Sequence, residues 1–330
     1  MGNSTEVIVE LVRSNGGACV LDRIHLPYDR PSAGPAAKFG LGCELYFSEP
    51  DSAVARERVK NFLLDYQATF PECVNEFLPT DARRTVKIRN DLASKLDAEF
   101  KKHPHETGYS TALYGAVDVG LPSDDVDPYQ ANVYARPHKN PRLSYVGACM
   151  SVCSDAGQFH KEALLSGVLR WSTMCQPKHG TGGFTFIFAS GMAQNTKYAL
   201  QMMKRFPGFD FIDGVSFTRE AGTVHNRIKS VNWLTVLGDE LVSELGGIGP
   251  MRSALEPVCK VHEYPGGVVI QAGEAPQLGD IATDNIPEAY RMVARYTKSV
   301  RFEDYDEALF RVAPGLDRKE ETLSWIRRFD

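Results

Sequence analysis

The apolar residues of this chain change their spacing from one segment to the next, and this change most constrains the fold. Segments in which every second residue is apolar predict strands, whereas apolar residues three or four positions apart predict amphipathic helices. Both patterns are interspersed over the 330 residues without a visible repeat. We therefore expect an α+β protein whose mixed or antiparallel sheets are flanked by amphipathic helices. No linker composition divides the chain, so we expect a single domain over residues 1–330, with a possible division into two subdomains near residue 150.

The two periods also place individual elements. Strands are predicted at residues 5–12, 19–26, 41–47, 108–117, 143–149 and 184–188, with a hairpin formed by 259–264 and 268–272. One helix is predicted to begin at Asp51 or Ser52. Further helices are predicted at residues 89–102, 159–174, 194–205, 231–245, 287–296 and about 323–329. Loops are predicted at residues 31–37 and 120–129, and a turn at residues 178–183.

The charge and the hydropathy of the chain narrow its function. Its net charge is −5, whereas a duplex-DNA binder gains affinity from a surplus of basic residues, so direct nucleic-acid binding is not expected. An acidic surface instead steers a protein towards basic partners. No segment approaches the roughly 20 apolar residues that span a bilayer. The first residues lack a secretory signal pattern, and Glu6 departs from the myristoylation pattern, so we expect a cytoplasmic location without membrane contact.

The cysteines and histidines do not show the spacing of a metal site. Cys149 and Cys153 are the only close cysteine pair, and their spacing is not that of a zinc site. The segment His103-Pro104-His105 lacks an evident third ligand and is interpreted as an exposed helix end. We expect no metal, and free buried thiols rather than disulfides. The seven cysteines are Cys19, Cys43, Cys73, Cys149, Cys153, Cys175 and Cys259.

Two groups of residues are compatible with an alternative function as a hydrolase. Cys149 or Cys175 could pair with His179 as thiol and imidazole, if the fold brought them together. Glu274 and Asp280 could act as a carboxylate pair, although a tight turn in which Asp280 caps the next element explains the same residues. The glycine-rich segments 180–183 and 246–249 lack the strand-then-helix context of a phosphate site, so no cofactor is expected.

Two acidic groups are candidates for contact with a partner. Such groups are ordinarily solvated surface, but they are also what a protein that blocks a basic nuclease would present. The first group is Asp124, Asp125 and Asp127, and the second is Glu303, Asp304, Asp306 and Glu307.

An ordered set of motifs resembles a known family. The set includes Ile228-Lys229-Ser230-Val231-Asn232-Trp233, then Leu245-Gly246-Gly247, Gly266-Gly267-Val268-Val269, and Pro276-Gln277-Leu278-Gly279-Asp280, with earlier pieces such as His179-Gly180-Thr181-Gly182-Gly183. Over about residues 40–302 the chain resembles the type VI secretion immunity proteins of the TsiV type. The family's motif residues are interpreted here as folding determinants, and no catalytic residue is carried over. They are Trp233, Gly246, Gly247, Gly273, Pro276, Gly279 and Asp280.

The resemblance implies a non-enzymatic function. It implies a bacterial protein encoded beside a toxic effector with a VRR-Nuc-type nuclease domain, which it neutralises by occluding the nuclease's active or DNA-binding surface. Besides the hydrolase, a second alternative is an adaptor or chaperone that loads the effector without inhibiting it. The oligomeric state, the contact surface and the cognate effector are not determined by the sequence.

Overall fold

Twelve strands form one sheet in the computed structural model, which describes residues 18–27, 35–48, 52–104, 106–115, 126–137, 139–188 and 196–330. Along the sheet the order is β11-β12-β10-β8-β2-β7-β6-β5-β3-β4, with β1 paired to β2 and β9 paired to β8. The strands are β1 (His25–Pro27), β2 (Pro35–Phe47), β3 (Glu76–Leu78), β4 (Val86–Lys87), β5 (Tyr109–Tyr114), β6 (Gln130–Ala135), β7 (Ser144–Met150), β8 (His179–Ile187), β9 (Asp210–Phe211), β10 (Leu234–Gly238), β11 (Cys259–Tyr264) and β12 (Gly267–Ala272).

The described α-helices are α1 (Ser52–Thr69), α2 (Leu92–Lys102), α3 (Lys161–Cys175), α4 (Thr196–Arg205), α5 (Gly214–Glu220), α6 (Asp239–Glu244), α7 (Ile248–Leu255), α8 (Glu288–Tyr296) and α9 (Arg318–Ile326). The helices up to α7 lie between strands in the chain, and α8 and α9 follow the last strand. Among the described strands, β8 and β9 are the only parallel pair. The α+β prediction is confirmed, and none of the described helices combines the length and apolarity that a bilayer crossing requires.

The long strand β2 occupies the middle of the sheet and is covered on both faces. Its residues from Gly40 to Phe47 are all buried, although the alternating apolar pattern of 41–47 is typical of a strand with one solvated face. One face of β2 and β8 packs against α3, where an added Cβ at Gly182 would lie 3.5 Å from Val168 Cγ2. Helix α1 packs on α3 in turn, with the rings of Phe62 and Trp171 5.5 Å apart. The core face of α1 consists of the buried residues Val59, Phe62, Leu63 and Tyr66.

Some predicted elements differ in the structure. The predicted helix at 231–245 is wrong, because β10 and then α6 occupy this segment. Strand β10 lies between β12 and β8 and buries all five of its residues. Because both of its faces are covered, its apolar residues need not alternate, and their spacing here resembles that of a helix. The predicted turn at 178–183 is wrong for the same reason, since residues 179–183 belong to β8. The predicted loop at 31–37 overlaps β2, which begins at Pro35, and the strand predicted at 5–12 lies outside the described residues.

The N-terminal described segment is a 3-10 helix, Ala18–Arg23, rather than the start of the predicted strand at 19–26. It carries Cys19, which forms a disulfide with Cys153 across a sequence separation of 134. The Asp22 carboxylate reinforces the contact by accepting hydrogen bonds from the backbone N–H of Val152 at 2.7 Å and of Cys153 at 2.8 Å. The prediction of free thiols is thus wrong for Cys19 and Cys153, because their proximity depends on long-range packing. The other five cysteines are free thiols.

Candidate functional site

Glycines in the central strands shape one face of the sheet. An added Cβ at Gly183 would lie 2.3 Å from Asn232 Oδ1, and one at Gly42 would lie 2.8 Å from Ile212 Cδ1. Only glycine therefore lets Asn232 and Ile212 approach the strands so closely. As a result, the segments that carry these two residues lie directly on the centre of the sheet.

A buried charge cluster lies beneath these segments. Lys229 Nζ is 2.6 Å from Glu44 Oε2 and 3.4 Å from Asp210 Oδ1, and all three side chains are almost completely buried. Lys229 also donates to the Phe211 carbonyl at 2.8 Å. The Tyr46 hydroxyl donates to Glu44 at 2.7 Å. The ammonium group is therefore surrounded by acceptors, as a buried charge requires.

The electrostatics keep this cluster ionic. Burial by itself would lower the pKa of Lys229, but Asp210 and Glu44 outweigh burial and raise this pKa above its ordinary value. Burial raises the pKa of Glu44, and Lys229 opposes that shift. Lys229 therefore remains protonated, and its charge holds two strands, β2 and β9, and the loop before β10 together.

The space next to the cluster is too small for a substrate. It has about 10 Å³ open to the centre of a water molecule, and its lining includes Glu44, Thr181, Asp210 and Asn232. Ligand pockets in proteins usually measure about 300–1,000 Å³. The cluster can hold roughly one water molecule. We assign it a structural role.

The structure does not pair the cysteines with His179. The His179 ring is fully buried, stacks on Tyr46 at a centroid distance of 4.7 Å, and has no hydrogen-bond partner at either nitrogen among the described residues. Burial, assisted by Lys229, lowers the pKa of His179 to about 3. Burial raises the pKa of Cys175 to about 12 and raises that of Cys149 further. These thiols stay protonated, so the geometry provides no thiolate–imidazole pair.

The two carboxylates of the other hydrolase alternative have separate partners. Glu274 is 78% exposed and forms an ion pair with Lys260 at 2.8 Å, which lowers the pKa of its carboxyl. Asp280 is buried, pairs with Arg205 at 3.1 Å, and accepts from the backbone N–H of Ala282 as the cap of a 3-10 helix. Each carboxylate thus has its own cation. Within the described ranges, no group of His, Cys, Asp and Glu side chains is arranged to hold a metal ion.

The second acidic group, residues 303–307, is partly neutralised within the fold. Glu303 pairs with Arg301 and Arg327, and Glu307 lies 3.5 Å from Arg219. Asp304 and Asp306 are exposed and form no ion pair with a described residue. The Glu220 carboxylate accepts the backbone N–H groups of residues 306 and 307, which fixes this segment on α5.

Of the first acidic group, the structure describes Asp127. Asp127 is half-buried and accepts from the backbone N–H of Tyr129 at 2.8 Å. Asp124 and Asp125 lie outside the described residues.

A comparison with known protein families identifies the family of this chain. The family model described as type VI immunity for VRR-NUC, TsiV, matches residues 88–329. The chain belongs to the TsiV family. Compared with the expected 40–302, the TsiV match begins later and includes most of the C-terminal tail. The tail is part of the core, because Trp325 of α9 packs on Phe211 at a centroid distance of 5.4 Å.

A solved structure supports the fold of this TsiV chain. The chain is similar to a protein titled "Pseudomonas aeruginosa T6SS protein PA0821", with a TM-score of 0.74 and 19% sequence identity, over 90% of this chain and 85% of the other. At this identity the likeness concerns the fold alone. No curated protein matches the sequence.

The TsiV motif residues occupy turns and packing positions. Trp233 is buried and donates from Nε1 to the Gly273 carbonyl at 3.1 Å. Gly246 and Gly247 have φ angles of +93° and +91°, and they separate α6 from α7 in a conformation that favours glycine. Gly279 has a φ of +66° and precedes the cap Asp280, while Pro276 is buried. These environments are structural.

Sequence reasoning missed two sets of residues in this TsiV chain. One is the ionic cluster, whose only signal was a lysine close to the apolar residues Ile228 and Val231. The other is a basic hairpin, residues 83–89. Its four cations do not show in the net charge of the chain, which is negative. An examination of local rather than total charge would have found the second set.

Proposed function

We propose that this TsiV chain is an immunity protein that binds its cognate type VI effector stoichiometrically and blocks the effector's active or DNA-binding surface. The observation that carries the proposal is the family match over residues 88–329. The closed ionic cluster supports it, because a protein without a substrate-sized pocket there can act through its outer surface. We further propose that residues 1–330 act as one immunity domain, that the partner is a nuclease, and that the protein acts in the cytoplasm.

The test is co-expression with the effector encoded beside this gene. We expect growth to be restored and the two proteins to copurify in a one-to-one complex, with an interface near the usual size of about 1,600 Å². Effector killing that is unchanged by this protein would refute the proposal.

A titration separates this proposal from its alternatives. Residual activity of the purified effector should fall linearly as this protein is added and reach its minimum at equimolar ratio, because a tight inhibitor acts by occupancy. An enzyme would protect at far lower ratios, and a loading adaptor would bind without reducing the activity. The Glu274→Gln variant serves as a control for the hydrolase alternative and should inhibit like the wild type.

A further inference from the structure

The basic hairpin, residues 83–89, concentrates unneutralised charge on a protein that is acidic as a whole. Its four cations are exposed, and none forms an ion pair or side-chain hydrogen bond with any residue in the described ranges. No other seven-residue stretch of the described chain has four exposed, unpaired charges of one sign. The four cations are Arg83, Arg84, Lys87 and Arg89.

The backbone beneath these side chains is held in place. Strand β4 pairs with β3, and the Ile88 backbone N–H donates to the Asn75 carbonyl at 2.8 Å. Thr85 Oγ1 donates to the Glu76 carboxylate, and the Arg89 N–H donates to Asp91 Oδ1 at 2.9 Å. The charged groups are thus presented from a fixed hairpin, which reduces the entropy lost on binding.

The position of the hairpin in the sheet leaves it accessible. Strand β4 is the last strand in the sheet order, so its outer edge faces no other described strand. Val86, between the cations, is 42% exposed. An exposed apolar residue that neighbours arginines in the chain suits a protein interface, where arginine is enriched.

We propose that the basic hairpin docks onto a carboxylate-rich surface of the cognate effector. This inference rests on the proposed function. Guanidinium groups bind carboxylates in bidentate fashion, and the exposed Val86 of the same segment supplies an apolar contact. Residues 83–87 precede the part of the chain that matches the family model. A surface outside the shared pattern is suited to distinguish one effector from another.

The charge of the molecule favours a protein over a nucleic acid as the partner. Duplex DNA is a polyanion that would be repelled by the net charge of −5, and four cations would neutralise few phosphates. An acidic patch on a folded protein can instead be satisfied by the few guanidinium–carboxylate pairs that four cations form.

The experiment compares two variants that lose the same charge. The test variant carries Arg83→Gln, Arg84→Gln, Lys87→Gln and Arg89→Gln. The matched control carries Lys139→Gln, Arg142→Gln, Arg311→Gln and Lys319→Gln, all of which are exposed. The Kd of each full-length protein for the purified effector is measured at several salt concentrations, and urea unfolding verifies the fold. A second variant, Val86→Glu, tests the same surface without removing a cation.

We expect the test variant to bind at least about tenfold more weakly with a smaller dependence on salt, and the control to stay within about twofold of the wild type. Val86→Glu should also weaken binding. If the wild type binds and the test variant binds equally well, or both quadruple variants weaken alike, this inference is refuted and the proposed function stands. If the wild type does not bind the effector, the proposed function itself fails, and the inference with it. Binding of duplex DNA by the wild type that the test variant loses would instead assign the hairpin to nucleic acid and overturn the inference.

Discussion

Lys229 illustrates how a single residue can depend on the complete fold. It belongs to the loop before β10, whereas Glu44 lies in β2 and Asp210 in β9. The three meet only when the sheet brings β2 and β9 close together and the loop before β10 packs against them. Buried ion pairs stabilise little relative to apolar replacements, but removal of one partner leaves an uncompensated charge.

We predict that Lys229→Met lowers the free energy of unfolding by about 3–5 kcal/mol, because Glu44 and Asp210 would lose their buried cation. Urea unfolding followed by circular dichroism measures this change. The double variant Lys229→Met/Glu44→Gln should recover part of the loss, since one of the two carboxylates is then neutral. A single variant as stable as the wild type would contradict the ionic description of the cluster.

His179 should make the stability of the protein depend on pH. Its folded pKa is lowered from 6.5 to about 3, so the unfolded chain binds a proton that the folded chain does not between these values. Stability from this residue is therefore full above the unfolded pKa and is lost as the pH falls below it, amounting to about 2 kcal/mol by about pH 5.

The variant His179→Phe tests this dependence. Phenylalanine keeps an aromatic ring beside Tyr46 but cannot bind a proton. Its free energy of unfolding, measured by urea titration from neutral to mildly acidic pH, should fall less steeply than that of the wild type. Parallel curves for the two proteins would show that His179 does not titrate on unfolding.

At the scale of elements, glycines decide how closely loops can approach the sheet. Gly183 lies in β8 and is the last residue of the segment 178–183, for which the sequence pattern predicts a turn. In the structure it is a strand residue beneath Asn232. A glycine can therefore indicate either a turn or a strand position that another segment approaches closely. Only the tertiary contact shows which of the two applies.

We predict that Gly183→Ala lowers the free energy of unfolding by about 1–3 kcal/mol, because the new Cβ must displace Asn232. Gly249→Ala is the matched control. Gly249 lies in helix α7, and a Cβ there would meet no atom within 4 Å. The control should be neutral or stabilise by up to about 1 kcal/mol. Thermal and urea unfolding of both variants would decide, and similar losses in the two would contradict the prediction.

The disulfide is another contact between distant elements. It joins the 3-10 helix Ala18–Arg23 to the segment after β7, where Asp22 also caps the backbone. The disulfide and the two Asp22 hydrogen bonds thus attach this segment at the same place.

At the scale of the whole molecule, the charged surfaces are more informative than the net charge. The described surface has an acidic segment at residues 303–307 and the basic hairpin at residues 83–89. The acidic segment has lost part of its charge to Arg301, Arg327 and Arg219. Its contribution to binding should therefore come mainly from Asp304 and Asp306.

We predict that the double variant Asp304→Asn/Asp306→Asn weakens effector binding by only about two- to fivefold, because exposed charge pairs contribute little. The loss should occur mostly in the association rate and should disappear at high salt, where steering is screened. Surface plasmon resonance at low and high salt measures both. A loss of several hundredfold that persists at high salt would instead place these carboxylates at the centre of the interface.

The sequence by itself determined the α+β class, most helices and the hairpin of β11 and β12, because these depend on local periodicity and on turn residues. Examples are the buried face of α1 and the glycine pair that ends α6. The motifs also sufficed to indicate the family. Only the tertiary structure decided that β10 is a strand, that Cys19 reaches Cys153, and that Lys229 lies between two carboxylates. These features arise from contacts between residues far apart in the chain, and in a fully buried strand the local apolar pattern no longer distinguishes one element from another.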